Sequence, residues 1–161
     1  LQKNKKINNS ILLGNVRKSA KEIIISQLKT GDIIKVKSNF LPIIFHYGIV
    51  VRNDENFVVY HNDPERINLR GGNIIKENTI DWIKDKEIVE VISTNHTIKS
   101  IEDTVKKNIY KKYDFFNYNC EHFVLSINRS SFFSPQVLGW SIFLSAAFLS
   151  YYILRKKQNR F

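Results

Sequence analysis

The sequence predicts an α+β domain, built on an antiparallel sheet and a cysteine-bearing helix and followed by a C-terminal transmembrane helix. Three observations predict it. Two β-branched runs, Ile43 to Val51 and Phe57 to His61, flank a short polar turn; Cys120, Phe123, Val124 and Ile127 recur at helical spacing; and Val137 to Leu154 is uncharged, largely apolar and followed by Arg155-Lys156-Lys157.

The chain of 161 residues suffices for one domain with an appendage and a core of its own. A formal charge of +10 points to anionic partners, either nucleic acid or an anionic membrane surface. There is no zinc-finger spacing and no RNA-binding aromatic motif, so nucleic acid is not expected as a partner. The many Asn, Lys and Ile residues also fit a codon bias, under which the charge would carry no message. Cys120 is the single cysteine, which excludes an intrachain disulfide and a cysteine zinc site and suits a reducing compartment. No metal or other cofactor is expected. His46, His61, His96 and His122 remain for chemistry.

Residues 1–28 read as a basic N-terminal extension, 29–131 as the main domain, and 132–161 as a membrane anchor with a basic tail. Leu1 to Asn9 are polar and basic, with no apolar core of the signal-peptide kind. A short helix is expected over Val16 to Leu28, with Ile23, Ile24 and Leu28 on one side. Thr30-Gly31-Asp32 marks a turn, and Ile33 to Val36 a strand. Arg52 to Asn56 has the length of a hairpin loop, so His46 and His61 are expected on neighbouring antiparallel strands. Asn62 to Asn78 reads as a loop with a small strand at Ile74-Ile75, and Glu87 to Ser93 as a further strand. Ser100 with Asp103 has the pattern of a capping box opening a helix that turns Ile101, Val105 and Ile109 inward. A second helix runs from about Cys120 to Asn128. The run from Val137 has the length of a bilayer span, lacks a polar face, and carries Trp140, Tyr151 and Tyr152 as interfacial aromatics.

Asn117 to Val124 is the segment that points to chemistry. A cysteine in the first turn of a helix feels the positive end of the macrodipole, which favours thiolate over thiol. Its helical face should pack on the sheet and aim Cys120 at the strands that carry His46 and His61. Nucleophilic thiols need a base within reach and a third group that orients the base. Each residue also has a plainer reading: Cys120 as packing, His46 as a core imidazole bonded to a carbonyl, His61 as a strand-end residue. Their joint placement favours the catalytic one. His122, two residues along the helix from Cys120, points elsewhere, and His96 falls in a loop expected to face solvent. The backbone N–H of Cys120 is the natural first oxyanion donor.

The strings Gly31-Asp32-Ile33-Ile34, His46-Tyr47-Gly48-Ile49-Val50-Val51, Val58-Val59-Tyr60-His61 and Asn119-Cys120-Glu121-His122-Phe123-Val124 resemble the lecithin:retinol acyltransferase-like (LRAT-like) proteins. Among these the chain is most similar to the small phospholipase A/acyltransferases with a C-terminal membrane anchor, over about residues 29 to 154. The resemblance implies a circularly permuted papain-like fold of the NlpC type. It also implies Cys120 as nucleophile, His46 as its base and His61 as the polar group that orients the base. Tyr47 stands where the family commonly has Trp, and the loop between the histidines is somewhat longer than usual.

The expected activity is that of a membrane-anchored phospholipase A or phospholipid acyltransferase. Its substrate would be a glycerophospholipid, its intermediate a thioester, and its acyl acceptor water, a lysolipid or an amine. An NlpC-type thiol peptidase or amidase, or a non-catalytic membrane adaptor of the same fold, are the alternatives. Arg155, Lys156 and Lys157 favour a cytoplasmic tail, whereas the domain is itself basic and shows no export signal. A single-pass C-terminal anchor with the catalytic domain in the cytosol is expected. With His46 as base, activity should fall on the acid side near the ordinary histidine value of ~6.5.

Overall fold

Five strands form one antiparallel sheet in the order β4-β3-β2-β1-β5. A computed structural model describes residues 20–38, 44–53, 56–127 and 134–158. The strands are β1 (Ile33–Lys37), β2 (Phe45–Asn53), β3 (Asn56–Asn62), β4 (Ile74–Asn78) and β5 (Ile88–Ile92). The helices are α1 (20–27), α2 (Thr79–Ile83), α3 (Ile98–Asn108), α4 (Cys120–Ser126) and α5 (Pro135–Gln158). The expected α+β architecture with an antiparallel sheet is therefore present. Ile43, residues 16–19, Asp54, Glu55 and Asn128 lie outside the described residues.

Alternation along β2 assigns the two faces of the sheet. Phe45, Tyr47, Ile49 and Val51 pack with Ile101 and Val105 of α3 and with Cys120, Phe123, Val124 and Ile127. Val50 packs on the other side, with Val59, Trp82, Ile83, Leu28 and Ile34. A strand turns successive side chains to opposite faces, so His46 and Gly48 share the face of Val50. Each large apolar side chain buried in these layers contributes about 1.5–3 kcal/mol.

Several boundaries differ from expectation for local reasons. Ile25 of α1 and Leu28 just after it pack on the core, whereas Ile23 is exposed. Lys21 fastens this helix by donating from Nζ to the Ile83 and Lys84 carbonyls at 3.0 and 2.9 Å. The helix α3 starts earlier than Ser100: Thr97 is the N-cap and accepts from the Ser100 amide. Its extended backbone and hydroxyl satisfy a donor of the first turn, leaving Asp103 to pair with Lys99 on the surface. The strand at Ile74-Ile75 runs on to Asn78, whose side chain then caps α2, a helix the sequence reading had left out. Gly31, at φ +96°, makes the turn into β1 in a conformation that side-chain-bearing residues rarely adopt.

From Pro135 to Lys156, α5 is long and apolar enough to cross a bilayer, and none of these residues is fully buried against the rest of the protein.

Gly48 decides how closely α2 approaches the sheet. A Cβ there would stand 2.5 Å from Val59 Cγ2 and 3.0 Å from the Trp82 ring. Gly48→Ala should therefore cost about 1–3 kcal/mol through overpacking. A lowered melting temperature by circular dichroism is the expected result; an unchanged one would mean that Trp82 does not rest on this position.

Candidate active site

In the β2–β3 ladder His61 lies opposite Gly48, which puts His46 diagonally across from it on the same face. The imidazoles meet edge to face, with His46 Nε2 3.0 Å from His61 Nδ1. Trp82 lies against both, its ring centre 5.8 Å from that of His46 and 5.3 Å from that of His61. On the far side of His61, Nε2 stands 2.6 Å from Glu77 Oε1. Arg66 donates from Nη2 to the same oxygen at 2.7 Å, from Nη1 to Oε2 at 3.0 Å, and from Nε to Asp63 Oδ2 at 2.6 Å.

This chain of contacts sets the protons. The bonds from His61 and Arg66 hold the Glu77 carboxyl well below the usual carboxylate range, so it only accepts. A hydrogen must then lie on His61 Nε2. The neutral ring offers Nδ1 as acceptor, His46 donates from Nε2, and the lone pair of His46 is left on Nδ1. Arg66 Nη2 also comes within 3.1 Å of His61 Nε2, because both converge on Glu77 Oε1. Burial, then the neighbouring His61 and Lys86, push His46 down to about 3. Burial also lowers His61, against the opposing pull of Glu77. His46 therefore stays neutral at moderately acidic pH, well below the ordinary histidine value expected for the acid limb.

Cys120 opens α4 as expected. Asn119 is the N-cap and accepts from the His122 amide at 3.0 Å, and His122 Nδ1 accepts in return from the Asn119 amide at 3.4 Å. This is a capping box in which histidine takes the usual place of Glu or Gln. His122 thus serves the helix start.

The sulfur occupies a notch in the backbone. The Ser38 amide donates to the Ile44 carbonyl, so the next peptide groups, those of Phe45 and Tyr47, point away from β1 toward the β3 side. The pairing of β3 with β2 stops at His61 opposite Gly48 and leaves that edge open. Cys120 fills it, donating from Sγ to the Phe45 carbonyl at 3.7 Å and receiving a bond from the Tyr47 amide. These two peptide groups flank His46. Burial pushes the thiol up to about 12, so in this arrangement it is neutral. The thiolate expected from the helix dipole does not form, because desolvation of a side chain only 2% exposed outweighs the amides around it.

The start of α5 closes the same corner. Gln136 Oε1 accepts from the Phe45 amide at 2.9 Å, and the buried Glu121 carboxylate accepts from the Gln136 amide at 3.1 Å and from the Ser134 hydroxyl.

Of the expected site residues, His46 and His61 are in direct contact, while Cys120 reaches the same stretch of β2 but bonds to backbone rather than to imidazole. Glu77, Arg66 and Asp63 complete the network and were absent from the sequence reading. The only cue was Glu77 in Ile74 to Asn78: once Ile75 lies opposite His61, Glu77 falls two residues on and shares its face. His96 is half-buried rather than solvent-facing. Among the described residues, no group of three or more His, Cys, Asp or Glu is arranged to hold a metal ion. No family model, curated protein or solved structure matches the chain.

The depressed imidazoles make stability depend on pH. Between about pH 3 and 6.5 the unfolded chain binds a proton at His46 that the folded domain excludes, so stability falls as pH drops through that window. Glu77, lowered from 4.5, acts in the same sense over a more acid range. The full chain in detergent micelles should lose on the order of 1 kcal/mol between pH 7 and 5. The ring NMR shifts of His46 at pH 5 should still report a neutral imidazole. Equal melting temperatures at the two pH values would contradict this network.

Proposed function

We propose that the protein is a membrane-anchored phospholipase A or phospholipid acyltransferase of the LRAT-like kind, with a circularly permuted papain-like domain and Cys120 as nucleophile. One observation carries the reading: the Glu77–His61–His46 chain leaves an unprotonated Nδ1 on the residue whose two flanking peptide groups hold the only cysteine sulfur.

In the proposed reaction, Sγ leaves the Phe45 carbonyl and gives its proton to His46 Nδ1. The sulfur bonds to the ester carbonyl carbon of a glycerophospholipid, and the carbon–oxygen bond to glycerol breaks as His46 returns the proton to the departing oxygen. The acyl group stays on Cys120 as a thioester. Water, a lysolipid hydroxyl or an amine then gives its proton to His46 and takes the acyl group, and the sulfur is reprotonated. The backbone N–H of Cys120 stabilises the oxyanion. His61 orients His46, and Glu77 with Arg66 fixes the tautomer of His61. Anchoring by α5 in the membrane, with the domain in the cytosol, would raise the local concentration of an insoluble substrate.

The buried, neutral thiol favours a second reading, a non-catalytic membrane adaptor of the same fold. Full-length protein incubated with phosphatidylcholine vesicles separates the two. Release of fatty acid and lysolipid, with a hydroxylamine-sensitive acyl adduct on Cys120, is expected. Cys120→Ser should abolish both, and His46→Asn should slow turnover about 100-fold or more. Vesicle binding without any adduct would leave the adaptor. Cleavage of a γ-glutamyl peptide without lipid turnover would point to an NlpC-type amidase.

A further inference from the structure

The catalytic corner is bordered by two loops that present large apolar side chains to solvent. In the loop 63–73, Ile67 is 63% exposed and Leu69 fully so; in the segment 109–118, Tyr110 and Phe116 are exposed to a similar degree as Ile67. The loops are tied together. Asn68 donates from Nδ2 to the Ile109 carbonyl at 3.0 Å, Arg70 from Nη1 to the Tyr110 hydroxyl at 3.1 Å, and the Asn73 amide to the Lys111 carbonyl at 3.0 Å. They are also tied to the start of α4: Asn119 donates from Nδ2 to the Phe115 carbonyl, and Asn62 from Nδ2 to that of Tyr118. The same end of the sheet receives α5, through Gln136 on Phe45 and Glu121.

We propose that Ile67, Leu69, Tyr110 and Phe116 form a second membrane contact, a docking rim that seats the Cys120 end of the domain on the anionic lipid surface that α5 enters. Two features favour a bilayer over another occupant. The rim lies at the end of the sheet where α5 begins, the only described helix able to span a membrane. Its surroundings also carry an excess of cations, with Lys106, Lys107, Arg70, Lys111 and Lys112 exposed against Glu65, Asp114 and, one turn further along α3, Glu102 and Asp103. Apolar tips within a basic border match an interface of acyl chains beneath anionic headgroups.

The inference rests on reading α5 as a membrane span, and intrinsic tryptophans test the two separately. The full chain is reconstituted in vesicles of phosphatidylcholine and phosphatidylglycerol, with or without lipid brominated near the glycerol end of the acyl chains. Wild-type emission reports Trp140 of α5 beside the buried Trp82; a bromine effect there tests the span. In Trp140→Phe protein only Trp82 emits, and adding Leu69→Trp places a reporter on the rim at an open position. That added emission should lose roughly half its intensity or more, since an interfacial side chain lies about 5–10 Å into the headgroup and acyl boundary. Quenching of Trp140 with none at position 69 would overturn the rim while keeping the span. No quenching at either position would remove both. Emission at position 69 that shifts with protein concentration but not with bromolipid would assign the rim to a second copy of the chain and overturn the lipid contact.

Discussion

The register of β2 on β3 is the constraint on which the candidate site depends. With His61 opposite Gly48, one face of the hairpin presents two imidazoles on a diagonal, and the gap above glycine admits Trp82 beside both. A slip by one residue would turn every side chain of one strand to the other face. His61 would enter the layer of Tyr47 and Ile49, Glu77 would lose its partner, and the proton order from carboxylate to His46 would dissolve. His61 is buried, so its ring nitrogens must find their partners in this network, which in turn penalises any other pairing of the strands.

Burial and reactivity pull in opposite directions at Cys120. The apolar face of α4 drives Phe123 and Val124 into the core, and the cysteine on the same face is carried in with them. The amides around the sulfur favour an anion, yet removal from water opposes it more strongly. A thiol in this setting is protected from oxidation and from adventitious alkylation, because both require thiolate and access. Burial restrains His46 as well: it keeps the imidazole neutral, with Nδ1 unprotonated, but lowers its affinity for a proton.

Much of this arrangement could be read from residue types and spacing. The β-branched runs defined the hairpin and hence the pairing of His46 with His61, and the helical spacing from Cys120 to Ile127 identified a face that is buried throughout. The uncharged stretch after Val137 is helical, as expected. What escaped was non-local. Glu77 and Arg66 acquire their role only through the β3–β4 register and the folding back of the loop between them, and neither has a sequence neighbour that announces it. Two errors came from weighing one local effect too heavily: a helix dipole at Cys120 that desolvation overrides, and a capping pattern at Ser100 that Thr97 pre-empts. The short α2 went unseen because its five residues hold too little periodicity to register, although Trp82 within it packs against both imidazoles.

The stretch of β2 beyond the end of β3 carries a consequence for solubility. A strand margin with unused amides and carbonyls is a template on which another chain can add a strand. Here the Phe45 amide is occupied by Gln136, and the Phe45 carbonyl and Tyr47 amide by Cys120. Cys120 and the first turn of α5 therefore act as stoppers against self-templating. The seat of α5 and resistance to aggregation share the same few atoms, so losing that seat would uncover adhesive backbone along with the thiol.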